Sequence, residues 1–157
     1  MTPSIGQLQI RTAHRAELDL LNELILRSKA VWGYDEAFLA ACKDELRLRR
    51  RDLKETSVAI AESDSRPLGV VQVKTFEQEA ELLKLFIAPE AMGTGTGRAL
   101  FKWACGVALE DGAESLVIDS DPDAAPFYRH MGACDIGLAP SGSIPGRMLP
   151  MLAYALK

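Results

Sequence analysis

The sequence predicts one α/β domain over residues 1–157, and three observations lead there. Short apolar runs of strand length alternate with segments of helical period. A strand, a glycine-rich turn and a helix follow one another without interruption from Leu82 to Glu110. No repeat, low-complexity stretch or linker divides the chain, whose length is enough to bury about two-thirds of the unfolded surface.

The elements can be read in order. Residues Leu8 to Thr12 alternate as a short first strand. Glu17 to Lys29 carries Leu18, Leu20, Leu21, Leu24 and Leu26, the content of a buried helix. Val31-Trp-Gly-Tyr34 ends it, and Asp35 is placed to cap a second helix that runs to about Arg50. Ser57 to Glu62 and Leu68 to Phe76 are two apolar strands joined across Ser63 to Pro67, and the turn Glu77 to Glu79 leads into a strand over Ala80 to Ala88. The helix from Gly95 to Glu110 presents Leu100, Trp103, Ala104, Val107 and Ala108 on one face and stops at Asp111-Gly112. A strand over Ser115 to Asp119, a short helix over Asp123 to Met131 and a strand over Ala133 to Ile136 follow. Pro140 to Gly146 is a loop. The last strand, Met151 to Leu156, is expected to begin only after Pro150, which has no donor to give a ladder.

Composition narrows the function classes. The hydrophobic share of 48% and charged share of 25% are those of an ordinary globular domain. A net charge of −4 gives no electrostatic reason to bind nucleic acid or anionic lipid. Cys42, Cys105 and Cys134 are odd in number and lack metal-ligand spacing, which reads as reduced thiols in a cytoplasmic protein. With only His14 and His130, neither a histidine-based zinc site nor a Ser-His-Asp triad is expected, and no metal is. The N-terminus has no basic-then-apolar signal pattern, and no apolar run approaches membrane-spanning length.

The chemistry is concentrated between residues 82 and 132. After the apolar run ending in Ile87-Ala-Pro89, Gly93, Gly95 and Gly97 stand at every second position before a helix. Such a turn aims unpaired backbone N–H groups and the positive end of a helix dipole at one point, the arrangement that holds a phosphate or pyrophosphate. A flexible connector without a ligand is the poorer explanation of three alternating glycines. A P-loop is excluded because Gly97 is followed by Arg98 and Ala99 instead of Lys and a hydroxyl residue. The dinucleotide fingerprint fails as well: the sixth position counted from Gly93 is Arg98, and from Gly95 it is Leu100.

Ile87-Ala-Pro89 followed by Met92-Gly-Thr-Gly-Thr-Gly97 resembles the coenzyme A pyrophosphate turn of the GNAT superfamily of N-acetyltransferases. Ala124 to Gly132, with Phe127-Tyr128 at its centre, resembles a second signature of the same family, Ala-x-x-Phe-Tyr-x-x-x-Gly. The resemblance implies a mixed, mostly antiparallel sheet of six to seven strands with about four helices. It also implies acetyl-CoA as cosubstrate and direct transfer of its acetyl group to a primary amine of a small molecule or amino-acid-like acceptor. On that basis Met92, Gly93, Thr94, Gly95, Thr96, Gly97 and Arg98 hold the pyrophosphate. Met92 replaces the family's usual arginine or glutamine, which weakens an ancillary side-chain contact. Leu85, Phe86 and Ile87 are expected to carry a strand bulge and a main-chain donor for the acetyl carbonyl, while also packing as core residues.

By the same resemblance Tyr128 is the expected general acid, acting through a hydrogen bond to the departing sulfur; otherwise it is a buried tyrosine that anchors a short helix. Glu81 is a candidate general base, on the ground that it shares facing parity with Leu83, Leu85 and Ile87; otherwise it is a carboxylate at the wet end of a strand. Asp119, Asp121 and Asp123 either cap the short helix, with Asp123 as N-cap, or line the acceptor site. Trp32 and Tyr34 either wall the acceptor site or pin the helix junction to the sheet. Arg47, Arg49, Arg50, Arg51 and Lys54 form a basic cluster that reads as a solvated helix end, the alternative being a surface for an acidic partner. Ser141, Ser143 and Arg147 either recognise a carboxylate or tie the last strand. The alternative from another class is a non-catalytic acyl-CoA sensor or partner-binding module of the same fold. Oligomeric state stays open, a homodimer included.

Overall fold

The computed structural model describes residues 7–156, so both ends of the 1–157 span, including the N-terminal stretch read for a signal pattern, extend outside the described residues. Seven strands form one sheet: β1 (Gln9–Thr12), β2 (Ser57–Ser63), β3 (Arg66–Phe76), β4 (Glu79–Ile87), β5 (Ser115–Asp119), β6 (Cys134–Pro140) and β7 (Met148–Ala155). Their spatial order is β1-β2-β3-β4-β5-β7-β6. Only β4 and β5 run parallel, and the connection between them is helix α4 (Thr96–Glu110), the crossover that a parallel pair requires. The remaining helices are α1 (Leu18–Ala30), α2 (Glu36–Leu46), α3 (Arg50–Glu55) and α5 (Ala125–His130). No helix among the described residues is long and apolar enough to cross a membrane.

The near-continuous apolar runs of β2 and β3 arise because helices cover both faces of the sheet. Ala59, Ala61, Val71 and Val73 share a core with Leu100, Phe101, Ala104 and Ala108 of α4. Val58, Ile60 and Val70 pack instead with Leu21, Leu24 and Ile25 of α1. Close approach of α4 depends on Gly69 in β3, where a Cβ would lie 2.8 Å from Leu100 Cδ1 and 2.9 Å from Ile87 Cδ1. Leu20, counted in the buried stripe of the first helix, is half exposed.

Three boundaries differ from the sequence expectation, each for a tertiary reason. The second helix stops at Leu46 and a separate α3 follows, which gives five α-helices among the described residues. Between them Leu48 is drawn into the core, and Asn22 of α1 holds its backbone like a partner strand: Leu48 N–H donates to Asn22 Oδ1 at 2.7 Å, and Asn22 Nδ2 donates to Leu48 O at 3.0 Å. The last strand begins at Met148, with Pro150 inside it. Pro150 O accepts from Ser120 N–H at 2.9 Å, so the ring's missing donor faces the space beyond β5 and removes no bond to β6. The short helix begins at Ala125. Its entry is organised by Asp121, which accepts Asp123 N–H at 2.9 Å, and Asp123 is not its N-cap.

The most consequential irregularity lies in β4. Gln72 pairs with Lys84 and Val73 with Leu82, so Leu83 is an extra, bulged residue. It stands two positions ahead of the Leu85 to Ile87 stretch where a bulge was expected. Pairing of β4 with β5 ends at Leu82 and Ile118, and beyond that point the two parallel strands separate. The bulge inverts facing parity: Leu82 joins the α4 core before it, and Leu85 and Ile87 join that core after it. Glu81, one residue from Leu82, therefore does not share a face with Leu85 and Ile87, contrary to the parity argument.

Candidate active site

The gap between β4 and β5 opens into a cleft of about 430 Å³. One wall is the free edge of β4. Ala88 N–H donates to Leu68 O of the β3 side at 2.8 Å, which fixes even-numbered residues as those whose backbone bonds β3. The main-chain groups of Leu85 and Ile87 consequently face the gap, and those of Phe86 do not. Ile87 N–H is covered by Ser28 Oγ of α1 at 3.2 Å, whereas Leu85 N–H faces the gap with no acceptor among the described residues.

The second wall is the glycine turn. Gly93 and Gly95 adopt φ of 76° and 87°, a region that glycine enters without steric cost. Gly95 is the N-cap of α4 and its carbonyl accepts Ala99 N–H at 3.1 Å, the first bond of the helix. The N–H groups of Thr96, Gly97 and Arg98 meet no acceptor among the described residues, as expected of a helix start. Met92, Gly93, Gly95, Gly97 and Arg98 line the cleft. Thr94 and Thr96 do not: Thr94 Oγ1 bonds Ala91 O, and the two hydroxyls lie 2.9 Å apart, so these side chains brace the turn. At the base of the turn Gly97 sits under Phe127 and Ile87 with room for no more than ordinary contact.

Tyr128 lines the cleft from α5. It is 6% exposed, with Phe127 and Phe101 ring centroids 5.2 and 6.0 Å away. Burial, reinforced by the charge of Asp121, raises its phenol pKa above the ordinary value. Asp119 ends β5 where β4 departs and lines the same cleft, and its carboxylate has no hydrogen bond or ion pair among the described residues. Burial raises its carboxyl pKa. Glu81 is exposed on β4 and does not line the cleft; Lys84, beyond the bulge, does. Burial lowers the Lys84 ammonium below its usual value, partly countered by Asp52 and Glu45, and Lys84 Nζ donates to Gln72 Oε1 at 3.0 Å.

The far end of the cleft is built around Asp121. Lys29 Nζ of α1 lies 2.6 Å from Asp121 Oδ2, and Tyr34 Oη donates to the same carboxylate at 2.8 Å. Burial alone would raise the Asp121 pKa, but Lys29, the Asp123 N–H and Tyr34 together hold it below the carboxylate range. Burial and the Asp121 charge push the Tyr34 phenol up to about 12. Tyr34 is thus a pin between the helix junction and the β5–α5 loop, whereas Trp32, 45% exposed, lines the cleft. The Lys29–Asp121 pair spans 92 residues of chain, so no local spacing could have announced it. The Arg47, Arg50, Arg51 and Lys54 side chains face solvent.

A family model described as the acetyltransferase (GNAT) domain matches residues 17–137, and the chain belongs to this family. Among solved structures, a GCN5-related N-acetyltransferase from Rhodopseudomonas palustris superposes with a TM-score of 0.80 at 18% identity, covering 96% of this chain and 97% of that one. The PaiA N-acetyltransferase from Thermoplasma acidophilum, solved in complex with coenzyme A, gives 0.75 at 19% identity over 95% and 99%. The ribosomal-protein-S18-alanine N-acetyltransferase from Escherichia coli gives 0.69 at 16% over 96% and 94%. No curated protein matches the chain in sequence.

Proposed function

We infer that this chain transfers an acetyl group from acetyl-CoA to the primary amine of a small molecule or amino-acid-like acceptor, directly and within a ternary complex. The observation that carries this is a convergence: Gly97 and Arg98 with their unclaimed N–H groups, the free β4 edge at Leu85 and Tyr128 all line one cleft. The donor set fits a diphosphate, since main-chain N–H groups at a helix start suit an anion and Arg98 adds a charge. The coenzyme A held by the Thermoplasma neighbour supports the same choice.

Bound acetyl-CoA supplies an activated thioester carbonyl. Leu85 N–H is placed to donate to the carbonyl oxygen as it gains charge, an effect worth about 3 kcal/mol where such a donor is preorganised. Asp119, unpaired at the mouth of the split, is better placed than Glu81 to take the proton of the incoming ammonium. Its raised pKa makes it a better base than an ordinary aspartate. Tyr128 donates a hydrogen bond to the departing sulfur.

The test has two parts. Acetyl-CoA at about 100 times its Kd is expected to stabilise the fold by about 2.7 kcal/mol in a thermal shift. A thiol-release assay across a panel of amines is then expected to give turnover. No shift overturns coenzyme binding; a shift with no release for any amine leaves a sensor in place of an enzyme.

A further inference from the structure

We propose that the acceptor carries a carboxylate beside its amine and that Arg147 binds it. This deepens the reaction inferred above and rests on it. Arg147 precedes β7 and lines the acceptor end of the cleft, with its side chain 20% exposed. Its Nη2 donates to Tyr34 Oη at 2.9 Å. The nearest carboxylate oxygen, Asp121 Oδ2, is 3.7 Å from Nη2, beyond hydrogen-bond range. That oxygen is already taken by Lys29 Nζ at 2.6 Å and Tyr34 Oη at 2.8 Å. Two cations thus share one anion, and Lys29 has the nearer claim. A guanidinium has five N–H donors. Those on Nε and Nη1 and the second one on Nη2 have no hydrogen-bond acceptor among the described residues, so a parallel pair that includes Nη2 is left.

The group is also held still. Its Cζ lies 4.8 Å from the Phe38 ring centroid and 5.4 Å from that of Tyr34. The two rings are themselves stacked at 4.0 Å and 13°. The loop carrying Arg147 is closed by its own hydrogen bonds: Ser141 N–H donates to Arg147 O at 2.8 Å, and Arg147 N–H to Ile144 O at 3.2 Å. Ser141 Oγ accepts the Ile144 N–H at 3.0 Å. A largely buried guanidinium, fixed in plane and sharing its ion-pair partner Asp121 with Lys29, is matched by a planar two-oxygen anion that accepts two parallel N–H bonds. An amine lacking that anion would leave those donors dry as it fills the cleft, which is the situation that gives strong discrimination. A mere tie between loop and Tyr34 needs only Nη2.

The experiment measures thiol release at saturating acetyl-CoA with the twenty L-amino acids, β-alanine and 4-aminobutyrate, each paired with its carboxamide. For the best acid, kcat/KM is expected to exceed that of its amide by about 30-fold or more, mainly through KM. In Arg147→Gln the acid-to-amide ratio should collapse towards unity, and Arg147→Lys should restore part of it. Equal turnover of acid and amide by the wild-type chain overturns the assignment without recourse to any variant. So does turnover confined to amines outside the acid set, or an equal loss on both partners in Arg147→Gln. Thermal-shift binding of acetyl-CoA separates the failures. Indifference to the carboxylate with acetyl-CoA bound overturns the Arg147 assignment alone, and absence of both binding and release overturns the reaction with it.

Discussion

Tyr128 is surrounded by rings and sits near a negative charge, and both conditions keep its proton on oxygen. A thiol with a pKa near ~8.5 leaves as a weaker base than the phenolate of a group whose ordinary value is ~10, and burial widens that gap. Complete proton transfer from Tyr128 is therefore uphill, and the role proposed for it is a hydrogen bond that tightens as sulfur gains charge. Tyr128→Phe is expected to lower kcat by about 10- to 100-fold while the Kd for acetyl-CoA stays within about twofold. Calorimetric titration and thiol release measure the two numbers, and an unchanged kcat removes Tyr128 from the chemistry. The base is tested by comparison. Asp119→Asn is expected to cost about 100-fold in kcat, at least tenfold more than Glu81→Gln, because the first lines the cleft and the second lies outside it. A larger loss on Glu81→Gln would reverse the assignment.

At the scale of elements, two glycines around α4 do different jobs, and substitution should separate them. Gly95 needs its positive φ of 87° and has open space around it, so a methyl group strains the turn by roughly 1–2 kcal/mol without a clash. Gly95→Ala is expected to weaken acetyl-CoA binding about tenfold by re-aiming the N–H groups of Gly97 and Arg98, with a small fall in Tm. Gly69 has the opposite problem, an extended site with Leu100 and Ile87 in the way. Gly69→Val is expected to cost about 1–3 kcal/mol in denaturant unfolding by pushing α4 away from β3. The glycine turn, the α4 face and the strands β2 to β5 were legible in sequence because their signals are local: periodicity, alternation and glycine spacing. What was not legible depends on distant partners. Leu48 breaks the helix only because Asn22, 26 residues earlier, holds both its backbone groups. The bulge at Leu83 carries no residue signature, yet it inverts parity and moves Glu81 off the face on which the sequence had put it. The rule about lost donors makes Pro150 a strand boundary, yet β5 is too short for that donor to be missed.

Across the whole molecule, Asp121 joins parts that the chain keeps far apart: Lys29 from α1, Tyr34 from the α1–α2 junction, the Asp123 N–H from its own loop and, through Tyr34, Arg147 ahead of β7. This far end of the cleft therefore exists only when both halves of the sheet are assembled, and its electrostatics should appear in global stability. Asp121 has a folded-state pKa below its unfolded value near ~3.9. The unfolded chain thus binds the proton more readily, so stability rises with pH in this window. The contribution is fully present above about pH 4 and is lost as pH falls through the folded-state value. Glu17 and Glu90, held low by Arg11 and by the Glu90 backbone with Arg27, add to the same acid limb, so Asp121 owns a share of it and not the whole. Asp121→Asn is expected to lower the urea midpoint at neutral pH, because the largely buried Lys29 loses its counter-ion, and to flatten the fall of that midpoint between about pH 5 and pH 2. Parallel acid limbs in the variant and the wild type would mean that the Asp121 carboxylate titrates alike in the folded and unfolded chains. In that case the node is a packing contact and holds the two halves of the sheet together without its charge.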